Sequence, residues 1–262
     1  IVDATGNTST GARNGDCART GGRIGYGQSF DGDGDYFTTP DGGVCDGTND
    51  NVTVSAWVNV NSGMTGWSRL VTQDPGGGFA YTITHNGTTN GTGKFGTNAD
   101  WGSDETWGHS QWVYATGRYD GDSMNLWLDG VAGTATAQSG AFTSSTDDSV
   151  FIGVRNDGVG DYYGYLDEIR IEDVARDTNW IKLCYQNQKS SQALVDFSSA
   201  MENYTSWTYS MNCTLNTTSS GANVTTGEGV GDFPVLIRLH SGNFDFSTLS
   251  DQTDGSDIRF AD

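Results

Sequence analysis

The sequence predicts an all-β protein: a jelly-roll β-sandwich followed by a second, smaller and incomplete β-sandwich module. Its 262 residues include 38 Gly but only 3 Pro, and 11% of them are aromatic. That composition is typical of many short strands joined by glycine turns. Apolar and polar residues also alternate through residues 52–60 and, without a break, through residues 207–215. Such alternation indicates half-buried strands.

Residues 1–190 are predicted to form the first sandwich. Strands are expected at 52–60, 68–73, 79–85, 94–98 and 150–153, with a hairpin over 124–131. Two of the connecting turns, Asn86-Gly87 and Asp129-Gly130, have the composition of tight hairpin turns. A short helix capped by Asp177 is expected to run to about Gln186.

The last strand of this sandwich, from Tyr165 to Asp173, is the stretch around which the others are arranged. Alternation places Tyr165, Ile169 and Ile171 on the core side, with Asp167 buried among them. Because an unpaired buried carboxylate is costly, Asp167 must be paired, hydrogen-bonded or bound to a metal.

Two acidic stretches at opposite ends of this region, residues 29–36 and 164–173, resemble the opening and closing strands of the laminin-G-like, concanavalin A-type lectin domain. Residues 112–121 are similar to the family segment Trp-His-His-Val-Ala-Gly-Thr-Tyr-Asp-Gly, although Val113 and Tyr114 replace both histidines. Asp3-Ala4-Thr5-Gly6-Asn7 resembles a segment that follows the family's first strand, which therefore looks missing here. The resemblance implies the fold and says much less about function.

The remainder is predicted to be a linker over 191–202, holding one short strand at 194–197, and a partial β-module over 203–262. Strands are expected at 207–215, 233–239 and 257–260. Residues 233–239 and 254–260 resemble the start of a domain of unknown function that accompanies laminin-G-like modules in large bacterial secreted proteins. We expect this module to be incomplete.

The formal net charge of -20 disfavours nucleic acid and anionic membranes as partners, and it attracts divalent cations. No apolar run is long enough for a membrane helix. The four cysteines favour an oxidising, extracellular or cell-surface location, and we predict the disulfides Cys17–Cys45 and Cys184–Cys213. Four free thiols are the alternative.

Asp31, Asp33 and Asp35 lie in one short acidic loop, but Tyr36 and Gly42 stand where a calcium-binding EF-hand needs Gly and Glu. A structural calcium ion held between Asp31, Asp33, Asp35 and Asp167 is one interpretation. The other is a turn whose aspartates cap backbone amides. No organic cofactor is expected.

A polar loop carries Trp101, Asp104, Trp107 and His109, whose rings and carboxylate suit the apolar faces and hydroxyls of a sugar. Packing of the rings against the sandwich rim is the alternative. Enzyme signals are poor, because His85, His109 and His240 have no metal-ligand spacing and no nucleophile elbow is present. The sequence therefore predicts a protein that is not an enzyme.

Asn-Xaa-Ser/Thr sequons make the chain a candidate glycoprotein, although a Thr/Asn-rich solvated strand is the favoured interpretation. The sequons begin at Asn7, Asn51, Asn86, Asn90, Asn203, Asn212, Asn216 and Asn223.

The leading functional hypothesis is a non-enzymatic structural or adhesive repeat of a secreted bacterial protein or surface fibre. Its open β-modules at both ends would assemble head to tail into a homopolymer by strand addition. A chain that is part of a longer protein explains the same open ends. The competing hypothesis is a calcium-assisted, glycan-binding lectin module.

Overall fold

A computed structural model describes residues 11–39, 51–73, 79–87, 91–140, 149–155, 158–191, 194–199, 211–225, 227, 229–249 and 258. Eighteen strands, one α-helix and one 3₁₀ turn lie in these ranges. The strands, in chain order, are β1 Ala12–Asn14, β2 Ala18–Gly21, β3 Tyr26–Asp31, β4 Tyr36–Thr38, β5 Val52–Val60, β6 Trp67–Gln73, β7 Tyr81–Asn86, β8 Thr92–Thr97, β9 Asp100–Trp101, β10 Glu105–Thr106, β11 Val113–Tyr119, β12 Ser123–Leu128, β13 Val131–Ala132, β14 Thr136–Ala137, β15 Val150–Ile152, β16 Tyr163–Glu172, β17 Val195–Ser199 and β18 Met211–Leu215. The helix, α1, is Thr178–Gln188 and the 3₁₀ turn is Phe246–Thr248.

Two antiparallel sheets form the first part of the chain. Sheet 1 has the order β1-β4-β15-β6-β7-β8-β10, with β9 also paired to β8. Sheet 2 has the order β13-β12-β11-β5-β16-β3-β2, with β14 also paired to β12. Strands adjacent in space are often distant in sequence, as β16 lies between β3 and β5. The predicted all-β sandwich is therefore confirmed for this region.

The core lies between the two sheets and follows the strand alternation of the sequence. On β5 the inward positions are Val52, Val54, Ala56, Val58 and Val60, all buried in the central cluster. Sheet 1 supplies apolar side chains from β6, β7 and β8 to the same cluster. The period of two in the sequence predicted this core because successive side chains of a strand point to opposite faces.

The final strand of the sandwich, β16, departs from simple alternation. Its pairing with β5 shifts register between Asp167 and Arg170, and Glu168 has a positive φ of 50°. This bulge reverses which residues face inward. Leu166 is in the core and Tyr165 is 36% exposed, so the predicted inward position of Tyr165 is wrong. Beyond the bulge, Ile169 and Ile171 pack against the core as predicted.

A turn and a helix cap that were predicted from the sequence are present in the structure. Asp129 and Gly130 both have positive φ and join β12 to β13, as expected for this tight turn. Helix α1 begins where predicted, because the Asp177 carboxylate accepts a hydrogen bond from the Trp180 backbone N–H at 2.8 Å. No helix among the described residues is long and apolar enough to cross a membrane.

The chain divides into two compact units, Ile1–Tyr185 and Gln186–Asp262. In the second unit, β17 and β18 form a two-stranded antiparallel sheet. The strand predicted at 233–239 is absent, and these residues are irregular. Side-chain hydrogen bonds replace the ladder: Leu236 N–H donates to the Asn187 side chain, and Arg238 donates to the Gln188 carbonyl. Apart from Ile258, the predicted strand 257–260 lies outside the described residues.

The cysteines differ from the predicted disulfides. Cys184 and Cys213 are both free thiols, so the structure lacks the predicted Cys184–Cys213 pair. Cys184 is buried on α1, where burial raises its pKa to about 11, whereas Cys213 is exposed on β18. Cys17 is also a free, buried thiol, and its predicted partner Cys45 lies outside the described residues.

Candidate functional site

The outward face of sheet 1 carries three rows of side chains set by strand register. One row pairs Trp67 with Asn86 and Asn86 with Thr92 across β6, β7 and β8. The next row is Arg69, Thr84 and Lys94, and the third is Thr72, Thr82, Gly96 and Trp101. Directly opposite residues of antiparallel strands share a face, and the alternate residues Ile83 and Phe95 point into the core.

An aromatic and cationic stack occupies one end of this face. The rings of Phe79 and Trp101 have centroids 4.5 Å apart. The Arg69 guanidinium carbon lies 4.7 Å from the Trp101 centroid and 5.4 Å from that of Phe79. Phe79 is 7% exposed, whereas Trp101 keeps 38% of its surface exposed. The stack therefore holds one indole ring in place while leaving much of it open to solvent.

Gly96 explains why the stack can lie flat on the sheet. A Cβ atom at this position would stand 2.7 Å from Phe79 Cε2 and 2.7 Å from the Asp100 carbonyl oxygen. Since real Cβ atoms do not approach so closely, any side chain here would push the rings away from β8.

A second exposed indole lies at the other end. Trp67 is 45% exposed, and the Lys94 ammonium lies 5.5 Å from its ring centroid. The same ammonium is 3.2 Å from a carboxylate oxygen of Asp104, whose side chain is 56% exposed. Trp67, Arg69, Lys94, Trp101 and Asp104 thus form one surface, here called the outer-face platform.

The structure separates the four residues predicted to bind sugar. Trp101 and Asp104 lie on the outer-face platform. Trp107 does not, because it is 4% exposed and belongs to the core. Its ring lies over Gly93, where a Cβ would be 2.0 Å from Trp107 Cη2, and 4.5 Å from the His85 ring. For Trp107 the rim-packing interpretation is therefore the right one.

His109 is half-buried and packs edge-on against His85, with ring centroids 5.6 Å apart. His85 has no exposed surface, and among the described residues no partner meets hydrogen-bond geometry with either ring nitrogen. Burial lowers the pKa of His85 to about 4. These two imidazoles thus belong to the Trp107 packing cluster rather than to the outer-face platform.

The residues predicted from the sequence to bind sugar did not include Trp67, Arg69 and Lys94. Trp67 and Arg69 are two residues apart at the start of β6, so alternation puts both on the outward face. That signal was present in the sequence. The neighbourhood of Lys94 was not, because it depends on the register between β7 and β8.

The acidic loop forms a compact group of oxygens where the chain passes from β3 of sheet 2 to β4 of sheet 1. Ligand atoms of Asp16, Asp31 and Asp35 all lie within 4.8 Å of one another. Asp35 is 2% exposed and accepts backbone hydrogen bonds from Asp16 at 2.7 Å and Asp31 at 3.1 Å. Asp31 in turn caps the Asp33 N–H at 2.9 Å. The aspartates therefore cap backbone amides, as one of the two interpretations expected.

A further acid, Asp161, adjoins this loop. Burial raises its pKa, and so do the charges of Asp33, Asp31 and Asp35, while the Gly34 N–H opposes the shift. One Asp161 carboxylate oxygen is buried, and it has no hydrogen-bond partner in the part of the chain that the structure describes. Hard cations such as calcium bind oxygens of this kind, so the donor set fits a calcium ion.

Asp167 does not join that group, contrary to the predicted set. Its carboxylate accepts backbone hydrogen bonds from Ile24 and Glu168, both at 2.8 Å. It lies opposite Trp57, on the outward face of sheet 2. Asp31 pairs with Tyr163, four residues earlier on β16, which separates the two acids by about 13 Å. Asp167 is buried as predicted, and hydrogen bonds from backbone amides satisfy it, which is one of the three outcomes expected of a buried carboxylate.

The sequons fall at varied positions. Asn51, Asn86, Asn212 and Asn216 are half-buried and Asn223 is exposed. Asn7, Asn90 and Asn203 lie outside the described residues.

A profile described as the concanavalin A-like lectin/glucanases superfamily, of laminin-G type, matches residues 31–182. The chain belongs to this superfamily. No curated protein matches the sequence.

Solved structures share the fold at low identity. Domain 4 of AbnA, an extracellular GH43 arabinanase of Geobacillus stearothermophilus in complex with arabinotriose, has a TM-score of 0.55 at 20% identity. The match covers 68% of this chain and 89% of that one. The botulinum neurotoxin serotype D ligand-binding domain in complex with N-acetylneuraminic acid has a TM-score of 0.56 at 11% identity. That match covers 71% of this chain but only 48% of the neurotoxin domain.

Proposed function

We propose that this chain is a non-enzymatic carbohydrate-binding module whose ligand lies on the outer-face platform. The observation that carries the proposal is the pair of exposed indole rings, Trp67 and Trp101, on one face of one sheet. Large exposed aromatic residues grouped on a rigid surface are a usual mark of a binding site.

The rings are suited to sugars for two reasons. The faces of indole rings stack against the apolar C–H faces of pyranose and furanose rings. Arg69 and Lys94 hold the indoles before any ligand arrives, which reduces the entropy lost on binding. Asp104 adds an exposed carboxylate that can accept hydrogen bonds from hydroxyl groups.

The structural relatives support this function without identifying the ligand. The arabinanase domain was solved with arabinotriose and the neurotoxin domain with N-acetylneuraminic acid. Those ligands belong to those proteins, and their low identity to this chain carries only the fold. The extracellular arabinanase domain also supports the predicted secreted or cell-surface location. Within this proposal, a calcium ion bound by Asp16, Asp31 and Asp35 would stabilise the sandwich, in keeping with the calcium-assisted lectin hypothesis.

A second candidate is the structural or adhesive repeat that assembles head to tail in a surface fibre. It is favoured by the described part of the second unit, where β17 and β18 form a sheet of two strands that exposes Met211 and Leu215. Sheets of two strands are marginal alone, so a further partner would complete this module. A fibre subunit and a lectin are compatible roles for one chain.

A glycan array with three proteins tests the proposed function. The native chain is expected to bind at least one oligosaccharide class. Trp101→Ala should lose at least about fivefold in affinity, since stacking and burial of one indole contribute roughly 1–3 kcal/mol. The matched control is Tyr26→Ala, which removes a 65% exposed ring from sheet 2 and should bind normally. Equal losses in both variants, or none in Trp101→Ala, contradict the site.

A further inference from the structure

We infer that the outer-face platform selects neutral oligosaccharides, and that Arg69 serves to position Trp101 rather than to pair with an acidic group of the ligand. This inference rests on the proposed function and specifies the ligand class of the same site. It follows from the charges around the two indoles, from what the two cations contact, and from the length of the surface.

The acids beside Trp101 only balance the two cations of the platform, Arg69 and Lys94, and the chain as a whole is strongly negative. Asp100 precedes Trp101 and is exposed, and Asp104 is 56% exposed three residues later. The whole chain carries a formal charge of -20. An anionic glycan would approach against this field, whereas a neutral one experiences no net force from it.

The two cations of the platform already have partners. Lys94 is paired with Asp104 at 3.2 Å, so its charge is balanced locally. The guanidinium of Arg69 stacks on Trp101 and Phe79, at 4.7 Å and 5.4 Å from their ring centroids. A planar guanidinium stacked in this way fixes the orientation of its aromatic neighbour. Arg69 therefore determines where the Trp101 ring presents its exposed surface.

The exposed polar groups match hydroxyls. Asp100 and Asp104 carry carboxylates, which only accept hydrogen bonds when ionised. A ligand bound beside them must donate, and sugar hydroxyls are abundant donors. A ligand carboxylate or sulfate has no donor to offer and would leave the carboxylates facing another anion.

The length of the platform points to an oligosaccharide. Trp67 on β6 lies in the same cross-strand row as Thr92 on β8. Trp101 lies on β9, the strand next to β8, and pairs there with Gly96, four residues along β8 from Thr92. Strand spacing and rise place the two Cα atoms roughly 20 Å apart. A short linear chain of sugars can run along a surface of this length.

The experiment compares neutral oligosaccharides with length-matched uronate, sialylated and sulfated ones by array and then by calorimetry of the strongest binder. We expect a neutral binder whose Kd changes by less than about twofold between roughly 0.02 and 0.5 M NaCl. Asp104→Asn should weaken this binding by about fivefold, because a hydrogen bond to a charged acceptor becomes one to a neutral amide oxygen. For an anionic ligand the same variant would strengthen binding instead.

Two variants test whether Arg69 positions Trp101 or pairs with an acidic group of the ligand. If the residue positions Trp101, Arg69→Lys should weaken binding as much as Arg69→Gln does, because an ammonium keeps the charge but loses the planar stack. If Arg69 paired with a ligand acid, Arg69→Lys would retain most of the binding. Circular dichroism and thermal unfolding of each variant verify that the sandwich is folded.

The outcomes distinguish this inference from the function on which it rests. Binding of an anionic glycan that Trp101→Ala abolishes and Arg69→Lys preserves would overturn the inference and leave the proposed function standing. Binding of no glycan class, or binding that ignores Trp101→Ala, would overturn both.

Discussion

At the scale of single residues, polar groups buried in this protein carry its pH dependence. His85 is fully buried between Trp107 and His109, and burial lowers its pKa from 6.5 to about 4. Because the folded-state pKa is below the unfolded one, the neutral imidazole favours the folded state. That contribution is present above pH 6.5 and is lost as the pH falls toward 4.

We predict that the free energy of unfolding decreases as the pH falls from 6.5 to 4. His85 should account for roughly 3 kcal/mol of this decrease, since each unit of difference between its unfolded and folded pKa corresponds to about 1.36 kcal/mol. His85→Leu should remove this component, so its unfolding energy should change less over the same pH range. His240→Leu, at an exposed histidine, is the control. Urea titrations at several pH values measure the difference, and identical pH profiles for His85→Leu and the native chain would contradict the prediction.

Asp161, beside the acidic loop, should give the stability a pH dependence opposite to that from His85. The pKa of Asp161 is raised by burial and by Asp33, Asp31 and Asp35, so its protonated form is favoured in the folded state. Its contribution to stability is therefore present at low pH and is lost as the pH rises through the raised pKa. At neutral pH the ionised Asp161 carboxylate therefore opposes folding unless a cation neutralises it.

We predict that calcium raises the thermal stability at pH 7, by about 2.7 kcal/mol when free calcium is 100-fold above Kd. Asp31→Asn should reduce this effect by removing one of the three clustered carboxylates. Asp161→Asn should raise the melting temperature measured in EDTA, because it removes the repelling charge. Melting curves that are identical in EDTA and in calcium would refute a site here.

At the scale of elements, the sandwich depends on close approach between its two sheets. Gly117 on β11 faces the Phe95 ring of β8, and a Cβ atom there would lie 2.0 Å from Phe95 Cδ2. The two sheets therefore pack against each other through a contact that only glycine permits. This gives a physical reason for the glycine of the laminin-G-like segment 112–121.

Gly117→Ala should accordingly destabilise the protein by about 1–3 kcal/mol, the usual cost of overpacking a core. Gly21→Ala on β2 is the control, since no atom lies within 4 Å of the added Cβ and the change should be within about 0.5 kcal/mol. Denaturant unfolding of both variants gives the comparison. A Gly117→Ala protein as stable as the Gly21→Ala control would show that the sheets adjust freely.

Two strands, β5 and β16, show which structural features can be predicted from the sequence and which cannot. Strand β5 was predictable because every second residue is apolar and both its neighbours lie in the same sheet. The bulge in β16 was not, since nothing in the residues around Glu168 marks the positive φ that reverses the strand. That one irregularity moved Tyr165 outward and put Asp167 beside Trp57 instead of in the core.

At the scale of the whole molecule, the first unit was predicted far better than the second. The family segments lie in the right order over the sandwich, and the profile match covers residues 31–182. Residues 233–239 alternate as a strand would, yet they form hydrogen bonds with residues of the α1 C-terminus and with Lys189 instead of a ladder. Alternation alone predicts a strand only where a pairing partner is present.

Only part of the candidate site was predictable from the sequence, because it too depends on contacts between distant segments. Trp101 and Trp107 are alike in sequence, each in a polar loop, but register puts one outside sheet 1 and the other against Gly93 in the core. The side of a sheet on which a loop residue lies depends on tertiary packing, which local sequence does not encode.

The most direct test of the central claim is an NMR titration of the labelled chain with the tightest-binding oligosaccharide from the array. The platform account predicts that the largest amide and indole shifts come from Trp67, Arg69, Lys94 and Trp101, on the outward face of β6, β8 and β9. Shifts confined to Trp112 and Tyr165, the aromatic pair of sheet 2, or to β17 and β18 would contradict it.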